Sequence, residues 1–526
     1  MKIDFDCIVI GAGPSGIVTV KECVENGLDN ILAIDQALDL GGNFNHSYDS
    51  LTLTSSCTVS MFSDFWIGDG YEKSFWKKSE LVNYWRKYVD HYRISEKFRF
   101  NTSVTSAMLT EKKCWEITLD TGELLLCTHL VVAVGSSNYK SLPSWHEKLT
   151  DITYLHSKDY RNASHLKNKN VLIVGGGESA SDIALEIAKV AKKSWVSLRT
   201  SCGWITPRYR GKNPADLSTH RGFWGLPREF GKKAAEAIIK FEKSWNDPVH
   251  DVIAELNTRV QTEIGPFGIY GTKTTALPEA IALHGCKVVG EITDIQSGGR
   301  ILETADGNTL KHVDVVVFCT GYKNIAPFFR GELSRAGADP RSLYKHMFHP
   351  DFKGRLCWVG TARPCFGSQF PLIEIQARYC GLVFSNKLKL PTPDVMRKVA
   401  EKDSSLYLTN LGHSAERIRS LVDYHIYLDD MADVIGCSPP LWKYFFLHPW
   451  IWLRMVYGPT QSTQFRLKGP NAKKQLAHEI IKKIPLSAFT HIVKLGIRGR
   501  IYYFFKKLAS FSNKYKKAAG FVYIQK

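Results

Sequence analysis

The fold is decided by the stretch Cys7-Ile8-Val9-Ile10-Gly11-Ala12-Gly13-Pro14-Ser15-Gly16, in which a short apolar run ends at a GxGxxG pattern. A helical pattern follows from 17 to 24, and a second apolar run, 31–34, ends at Asp35, 24 residues after Gly11. Glycines at this spacing permit a tight strand-to-helix turn and let backbone amides approach a pyrophosphate at the helix N-terminus. The stretch therefore predicts a βαβ unit that binds a dinucleotide.

A second copy of the same order lies further along the chain. It runs from the apolar stretch 171–174 through Gly175-Gly176-Gly177-Glu178-Ser179-Ala180 to a helical pattern, another apolar stretch and Arg199, again 24 residues after Gly175. Short β-branched runs bounded by glycine and alternating with helical patterns are typical of parallel βαβ units. We therefore predict an α/β fold with two Rossmann-like dinucleotide-binding domains.

In each predicted βαβ unit the residue at the end of the second strand is charged, and the two charges are opposite. An Asp at this place accepts hydrogen bonds from a free ribose 2′-hydroxyl, whereas an Arg pairs with a 2′-phosphate. Asp35 thus predicts FAD and Arg199 predicts NADPH, although a solvated strand end and an ordinary surface arginine remain the alternatives. The predicted contacts are Gly11, Gly13, Pro14, Ser15, Gly16, Asp35 and Gln36 for FAD, and Gly175, Gly177, Ser179, Ala180, Arg199 and Thr200 for NADPH.

Composition narrows the class of protein. The 526 residues are 44% apolar, which is enough for two or three cores. We expect neither a membrane-spanning helix nor a signal peptide, and a cytoplasmic location, because no long apolar run exists and the first strand starts almost at once. The 12 cysteines lack metal-ligand spacing, which predicts no metal site. Without a nearby cysteine pair to take electrons from a flavin, disulfide reduction is excluded.

The net charge of +18 is concentrated near the end of the chain. Residues 441–526 hold 17 Lys and Arg against the single acid Glu479, and the preceding 440 residues are close to neutral. A nearly neutral main part with no recognisable nucleic-acid module predicts no nucleic-acid partner.

The order of the patterns predicts a nested arrangement. The strand-like run 130–134 ends at Gly135 and closes the first unit, and we interpret the run 313–318 as the return of the chain to that unit. The predicted domains are 1–160 (first part of the FAD domain), 161–311 (NADPH domain with an insertion at 203–275), 312–470 (second part of the FAD domain) and 471–526 (a basic, mostly helical extension).

The insertion is rich in aromatic and basic residues, among them Trp204, Arg208 and Trp224. It suits either a cap over a ligand site or an extra packing layer. Lys273, near its end, faces either the site or solvent, and the solvated loop position is the preferred interpretation.

Further segments carry a resemblance to a known family. Together with the two glycine patterns they resemble the flavin-containing monooxygenases, the class B enzymes that depend on FAD and NADPH. The segments are Gly41-Gly42-Asn43-Phe44, Tyr48-Asp49-Ser50-Leu51 with Phe62-Ser63-Asp64-Phe65, His156-Ser157-Lys158-Asp159-Tyr160, Cys319-Thr320-Gly321-Tyr322, Phe366-Gly367-Ser368-Gln369-Phe370-Pro371 and Gln464-Phe465-Arg466-Leu467-Lys468-Gly469-Pro470.

The resemblance implies a reaction and further site residues. It adds Gly42, Asn43, Thr54, Thr320 and Gly321 to the cofactor contacts. NADPH would reduce FAD, and a flavin C4a-(hydro)peroxide formed with O2 would oxygenate a small molecule, with an amine or thioether favoured. Baeyer–Villiger oxidation, hydroxylation of aromatic or keto acids, halogenation and NADPH oxidation are the alternatives, and a non-enzymatic flavin sensor ranks far lower.

Two departures from the family pattern concern the site. Many members carry an asparagine near the flavin where this chain has Thr54, so Thr54 and its neighbour Ser55 are the candidate hydrogen-bonding groups at the flavin edge. The first half of the family's identifying motif, FxG, falls on Thr150 and Ile152 and is absent.

The basic C-terminal part suggests a surface role. For 485–517, peripheral contact with an anionic membrane and a solvated or docked helix are both open, because basic residues alternate there with apolar ones at roughly helical spacing. For the aromatic stretch 441–458 we expect core packing. The sequence does not predict an oligomeric state.

Overall fold

The structure is a computed structural model that describes residues 2–67, 74–199, 201–260, 265–487, 493–494 and 496–502. Its strands are β1 (Phe5–Ile10), β2 (Ile31–Ile34), β3 (Phe98–Arg99), β4 (Val104–Leu109), β5 (Trp115–Leu119), β6 (Leu124–Val132), β7 (Tyr139–Lys140), β8 (Thr153–His156), β9 (Asn170–Val174), β10 (Lys193–Ser197), β11 (Trp204–Ile205), β12 (Tyr209–Arg210), β13 (Asn213–Pro214), β14 (Gly271–Thr272), β15 (Lys287–Val289), β16 (Ile292–Gln296), β17 (Ile301–Thr304), β18 (Thr309–Lys311), β19 (Val315–Phe318), β20 (Tyr322–Lys323), β21 (Leu356–Trp358), β22 (Arg363–Pro364) and β23 (Leu421–Val422).

The helices pack against one face of each large sheet and form most of the C-terminal third. They are α1 (Pro14–Glu25), α2 (Cys57–Ser60), α3 (Lys78–His91), α4 (Glu178–Ala188), α5 (Arg221–Trp224), α6 (Gly231–Lys243), α7 (Pro248–Thr258), α8 (Ala276–His284), α9 (Gln369–Phe384), α10 (Pro393–Arg417), α11 (Tyr424–Ile435), α12 (Leu441–Leu447), α13 (Pro449–Tyr457) and α14 (Lys474–Lys483). Within the described ranges, none of these helices is both long and apolar enough to cross a membrane.

The first sheet has the strand order β3-β2-β1-β6-β5-β4, with β21 beside the end of β6. β1 pairs in parallel with β2 and β6, and β21 pairs in parallel with residues 130–132 of β6. Parallel strands need helical crossovers on their faces, and α1 connects β1 to β2 in this way. Pro14 opens α1, where its fixed φ suits a first helical turn. The predicted first βαβ unit is therefore confirmed.

The second sheet repeats this pattern in the order β15-β10-β9-β19-β8. β9, α4 and β10 form the predicted second βαβ unit. One face of this sheet packs against α4, α7 and α8, and the other packs against β16, β17 and β18. The strand at 315–318 pairs with β9 and β8, so the prediction that it returns to the first unit is wrong. An all-apolar run fits either buried sheet, and β21 is the next strand of the chain that pairs within the first sheet.

A buried network of charges joins the end of the α/β part to α1. Arg466 is fully buried and forms ion pairs with Glu22 and with Glu374, the latter at 3.1 Å. Lys21 Nζ lies 3.0 Å from Glu22 Oε1 and 2.5 Å from Asp64 Oδ2. These contacts hold the 466 segment, part of a motif quoted above, against the first unit.

The described part of the C-terminal extension docks on the insertion. Arg500 donates hydrogen bonds to the carbonyl oxygens of Arg221 (2.8 Å) and Gly222 (3.2 Å) at the start of α5. Most of 485–517 lies outside the described residues, so membrane contact through it stays a prediction.

Candidate active site

The first glycine loop leaves no room for side chains where the backbone turns. Gly11 has φ +114°, and a Cβ on it would lie 2.5 Å from the carbonyl oxygen of Ala133. A Cβ on Gly16 would lie 1.8 Å from the oxygen of Gly11, and one on Gly42 would lie 3.1 Å from the Cα of Gly13. The structure thus brings Gly42 against the predicted loop. Backbone without side chains surrounds the N-terminus of α1, and this surface fits a pyrophosphate.

Asp35 follows β2 and faces this loop. Its Oδ2 accepts a hydrogen bond from the amide of Ala12 at 2.6 Å, and its Oδ1 accepts one from the amide of Ala37 at 2.8 Å. Asp35 is half-buried and Gln36 is exposed. The carboxylate is fixed beside the glycine loop, at the place where a ribose would lie next to the bound pyrophosphate.

The segment after β21 also reaches the first loop, which sequence analysis missed. A Cβ on Gly360 would lie 2.2 Å from Oγ of Ser15, so only glycine fits against the start of α1. Gly360 donates its amide hydrogen to Oε1 of Gln376 at 2.8 Å. The glycine stands at the end of a strand, which is the signal that would have found it.

The glycines of the second loop differ in backbone conformation and in the space around them. Gly175 has φ +122°, and a Cβ on it would lie 2.4 Å from the carbonyl oxygen of Cys319. Gly177, the residue before α4, has φ −82°, and a Cβ on it would meet nothing within 4 Å among the described residues. Ser179 and Ala180 lie in the first turn of α4. The open space above Gly177 fits the approach of a pyrophosphate.

The remaining predicted NADPH contacts lie at the edge of the second sheet. Arg199 follows β10 and is exposed, and Thr200 lies outside the described residues. Thr320 and Gly321 come directly after β19, beside the second loop, and Thr320 donates a hydrogen bond to the oxygen of Ser141. These two residues therefore belong with the second sheet.

A cavity is lined mainly by the 203–275 insertion, and Thr54, Phe75 and Phe366 complete its wall. The empty space inside it, together with its open mouth, is about 530 Å³. Thr54 lines it, so the candidate residue of the flavin edge faces this space. The lining residues are Thr54, Phe75, Trp204, Thr206, Pro207, Arg208, Arg210, Ala215, Asp216, Ser218, Thr219, Phe223, Trp224, Ile238, Pro266, Lys273 and Phe366.

Lys273 is half-buried in the wall of this cavity, so its interpretation as a solvated loop lysine is wrong. Its Nζ donates a hydrogen bond to the oxygen of Gly367 at 2.6 Å. Its amide donates to Oε1 of Glu178, the first residue of α4, at 3.2 Å. Lys273 thereby connects the cavity to the second glycine loop.

Ser55 and Asn43 do not line this cavity. Ser55 is buried and its Oγ lies 2.9 Å from Oγ of Ser60 and 3.3 Å from Oγ of Ser368. Asn43 is exposed and donates to the oxygen of Ser137 at 2.8 Å. Ser55 therefore belongs to a network of hydroxyl groups, whereas Thr54 is the member of the pair that lines the cavity.

Asp216 is the cavity residue that sequence analysis missed. It is 7% exposed and its Oδ2 accepts a hydrogen bond from the amide of Ser56 at 2.6 Å. Burial raises its pKa, while the bond from Ser56 and the charge of Lys273 oppose the rise. Its signal in the sequence is its isolation, because it is the only acid between Gly203 and Arg228.

Asp182 on α4 ties the two units and the insertion together. Its carboxylate accepts hydrogen bonds from Tyr48 (2.9 Å), Thr274 (3.0 Å) and Arg208 (3.2 Å). Tyr48 comes from the first unit, and the other two residues flank the cavity. The positions of the two glycine loops relative to the cavity are thus fixed by hydrogen bonds.

Comparisons with known proteins agree with this geometry. The chain is 30% identical over 510 residues to a 4-hydroxybenzoate brominase (decarboxylating) of Pseudoalteromonas luteoviolacea, covering 93% of this chain and 95% of that protein. It is 27% identical over 494 residues to dimethylaniline monooxygenase [N-oxide-forming] 2 of Oryctolagus cuniculus, covering 88% of each. The fold matches cyclohexanone monooxygenase from Rhodococcus sp. Phi1 bound to NADP+, with a TM-score of 0.59, 19% identity and coverage of 83% and 98%.

The match to a family is equally extensive. The description "Flavin-binding monooxygenase-like" applies to a family whose pattern matches residues 6–485, which include both glycine loops, the insertion and the 466 segment. The chain therefore belongs to the flavin-binding monooxygenase-like family.

Proposed function

We propose that the chain is an FAD-dependent monooxygenase that uses NADPH and O2 to oxygenate a small organic molecule. The observation that carries this proposal is the pair of glycine loops, one followed by Asp35 and the other by Arg199, in a structure whose insertion and first unit enclose an aromatic cavity. Oxygenation needs a flavin, its reductant and a substrate within reach of each other.

The proposed FAD contacts are bare backbone and one carboxylate. Gly11, Gly13 and Gly42 would hold the pyrophosphate, and Asp35 would bind the ribose hydroxyls. Pro14, Ser15, Gly16, Gln36, Asn43 and Thr54 complete the proposed set. When bound, FAD supplies the redox chemistry between NADPH and O2.

The proposed NADPH contacts follow the same plan with the opposite charge. Gly177 would let the pyrophosphate approach the N-terminus of α4, and the exposed Arg199 would pair with the 2′-phosphate. Gly175, Ser179, Ala180, Thr200, Thr320 and Gly321 complete the set. The NADP+ complex of the related fold supports this choice of reductant.

The chain itself contributes binding and exclusion of water. Phe223, Trp224 and Phe366 form apolar walls that displace solvent from the cavity, which strengthens the polar interactions inside it. Thr54 offers a hydroxyl group at the first-unit side of this space. In the net reaction NADPH and the substrate each give two electrons to O2, one oxygen atom enters the substrate, and the other leaves as water.

Halogenation is a second candidate. The brominase from Pseudoalteromonas luteoviolacea is 30% identical to this chain over most of both proteins, whereas family resemblance favours an amine or thioether as substrate. Product analysis with and without bromide separates the two, because a brominated product appears only if the enzyme oxidises halide.

The cofactor proposal is tested by following the flavin spectrum of the purified protein. We expect bound FAD that NADPH reduces at a much lower concentration than NADH does. Arg199→Ala should raise the KM for NADPH by about tenfold to a hundredfold, since a charge-assisted hydrogen bond contributes about 1.5–3 kcal/mol. The KM for NADH should stay constant.

Arg330→Ala, at an exposed arginine of the first unit, is the matched control and should change neither constant. Protein without flavin, or equal KM values for the two nucleotides, would contradict the assignment.

A further inference from the structure

Asp216 occupies an unusual place in the cavity. It lies in a short 3-10 turn, Ala215–Ser218, inside the insertion. Its Oδ2 is satisfied by the amide of Ser56, two residues after Thr54. Its Oδ1 is buried and has no hydrogen-bond partner among the described residues. One oxygen of a buried carboxyl group therefore lacks the partner that such groups normally have.

The other charged groups of the cavity wall each form an ion pair or a hydrogen bond, although Nε of Arg208 has no hydrogen-bond partner among the described residues. Arg208 pairs with Asp182 at 3.2 Å, Arg210 pairs with Glu242 at 2.6 Å, and Lys273 donates to a backbone oxygen. Asp216 is the only carboxyl group among the described lining residues. An unpartnered buried oxygen costs about 1–3 kcal/mol, which a ligand with a hydrogen-bond donor would recover.

We propose that the cavity binds a phenol and that Oδ1 of Asp216 accepts its hydroxyl proton. This inference rests on the proposed monooxygenase function and names the substrate class of the same cavity. The aromatic ring would lie among Trp204, Trp224 and Phe366, which supply apolar faces. The phenolic O–H bond breaks, the proton moves to Oδ1, and the electron pair stays on the phenol oxygen, where it activates the ring toward an electrophilic oxygen or halogen.

The alternative substrates fit Asp216 less well. A carboxylate in a dry cavity holds an amine in its protonated form, and a protonated amine has no free electron pair to be oxygenated. A thioether has no donor hydrogen and would leave Oδ1 unpartnered. A phenol satisfies the oxygen and becomes more reactive by doing so.

The electrostatic surroundings agree with a proton acceptor. Burial raises the pKa of Asp216, which makes its carboxylate a stronger base than an exposed one, and hydrogen bonding from Ser56 and the positive charge of Lys273 limit the rise. The other ionisable groups that interact with it are the thiol of Cys57 and the hydroxyl groups of Tyr209 and Tyr424. Burial raises the pKa of each of these three groups, so all stay neutral at pH 7.

The test uses the FAD-loaded protein without NADPH and two probes of nearly equal shape, 4-nitrophenol and 4-nitroanisole. Only the phenol has a hydroxyl proton, and its colour reports ionisation. We expect it to bind about tenfold to a hundredfold more tightly, the range for a hydrogen bond to a charged group. Affinity for the phenol should fall above its own pKa, because the free phenolate lacks the proton that Asp216 must share.

Asp216→Asn should abolish both the preference and the decrease at high pH, whereas Asp216→Glu should restore part of the preference. Asp403→Asn is the matched control, since burial raises the pKa of Asp403 as well but the residue pairs with Lys345 outside the cavity wall. Equal binding of the two probes to the wild-type protein would overturn the inference without any variant. Loss of NADPH-dependent flavin reduction would instead contradict the proposed function, which the binding experiment does not involve.

Discussion

The two outer glycines of the second loop have opposite surroundings. Gly175 combines a left-handed backbone with a carbonyl oxygen directly against it, so folding itself requires glycine there. Gly177 has a φ of −82° that any residue adopts, and open space lies where its side chain would be. The fold explains glycine at 175, whereas the approach of a ligand is our proposed reason for glycine at 177.

The difference between Gly175 and Gly177 gives a specific prediction for the NADPH contact. Gly177→Ala should leave the free energy of unfolding and the FAD content unchanged but raise the KM for NADPH at least about tenfold, because the methyl group occupies the path of the pyrophosphate. Gly175→Ala should lower the melting temperature, since its Cβ would lie 2.4 Å from a carbonyl oxygen. An unchanged KM in Gly177→Ala, with a normal melting curve, would show that the nucleotide does not approach this residue.

Sequence analysis placed the glycine loops and Thr54 but not Asp216. The loops follow a fixed spacing and a local pattern, so their positions can be read directly from the chain. Asp216 lies in an irregular turn, and its meaning depends on Ser56, 160 residues away. Lys273 was misjudged for the same reason, because nothing near it in the sequence shows that it lines a cavity.

At the scale of elements, α1 is fixed at both ends. Its first turn packs against Gly360, and its later residues Lys21 and Glu22 belong to the buried charge network around Arg466. Asp64 belongs to the same network. Burial alone would raise the pKa of Asp64, but the charges of Arg466, Lys21 and Lys473 outweigh burial and hold this pKa well below its usual range.

Removing the central cation should destabilise the protein strongly. Arg466→Met leaves Glu22, Asp64 and Glu374 buried with fewer countercharges, and we expect the free energy of unfolding at pH 7 to fall by about 3–5 kcal/mol in urea denaturation. Arg397→Met, which removes an exposed ion pair with Asp351, is the control and should cost less than about 1 kcal/mol.

The stability of the wild-type protein relative to Arg466→Met should depend on pH. A carboxyl group whose pKa is depressed by folding stabilises above its unfolded pKa, about 3.9 for Asp, and loses this contribution as the pH falls toward the folded value. The wild-type protein should therefore lose stability below about pH 4, and its advantage over Arg466→Met should shrink there. An advantage that grows in acid would contradict this explanation.

The pairing of whole strands was only partly predictable. The runs at β1, β2, β9 and β10 were placed correctly because glycine loops mark their ends. The run at β19 carries no such mark, since four buried apolar residues suit a central position among the parallel strands of either sheet. Its true neighbours are decided by contacts distant in sequence, including the carbonyl oxygen of Cys319 against Gly175.

At the scale of the whole molecule, α12 and α13 present an aromatic surface. Trp442 is 79% exposed, Phe446 71%, Leu447 60% and Trp450 77%, so the expectation of core packing for 441–458 is wrong for this face. A contiguous apolar patch on a protein surface marks an interaction site. The excess of basic residues in this part of the chain would complement an anionic lipid surface.

We therefore expect the protein to bind vesicles that contain phosphatidylserine, with weaker binding at high salt. Trp442→Ser combined with Trp450→Ser should reduce partitioning at least about tenfold, because two large side chains lose their burial in the lipid interface. Trp245→Ser, at a 41% exposed tryptophan of the insertion, is the control and should bind normally. Equal sedimentation of the double variant and the control would contradict the role of this surface.

The nesting of one sheet within the other sets an order of biosynthesis. The strands of the second sheet all lie between residues 153 and 318, whereas the first sheet is complete only once β21 has been synthesised. Glu22 pairs with Arg466, which is synthesised 444 residues later. At about 5–20 residues per second, a ribosome needs roughly 20–90 s to cover that distance. The second sheet is thus the first that a growing polypeptide can complete. Until Arg466 has been made, the first unit stays incomplete and exposes apolar surface to which chaperones can bind.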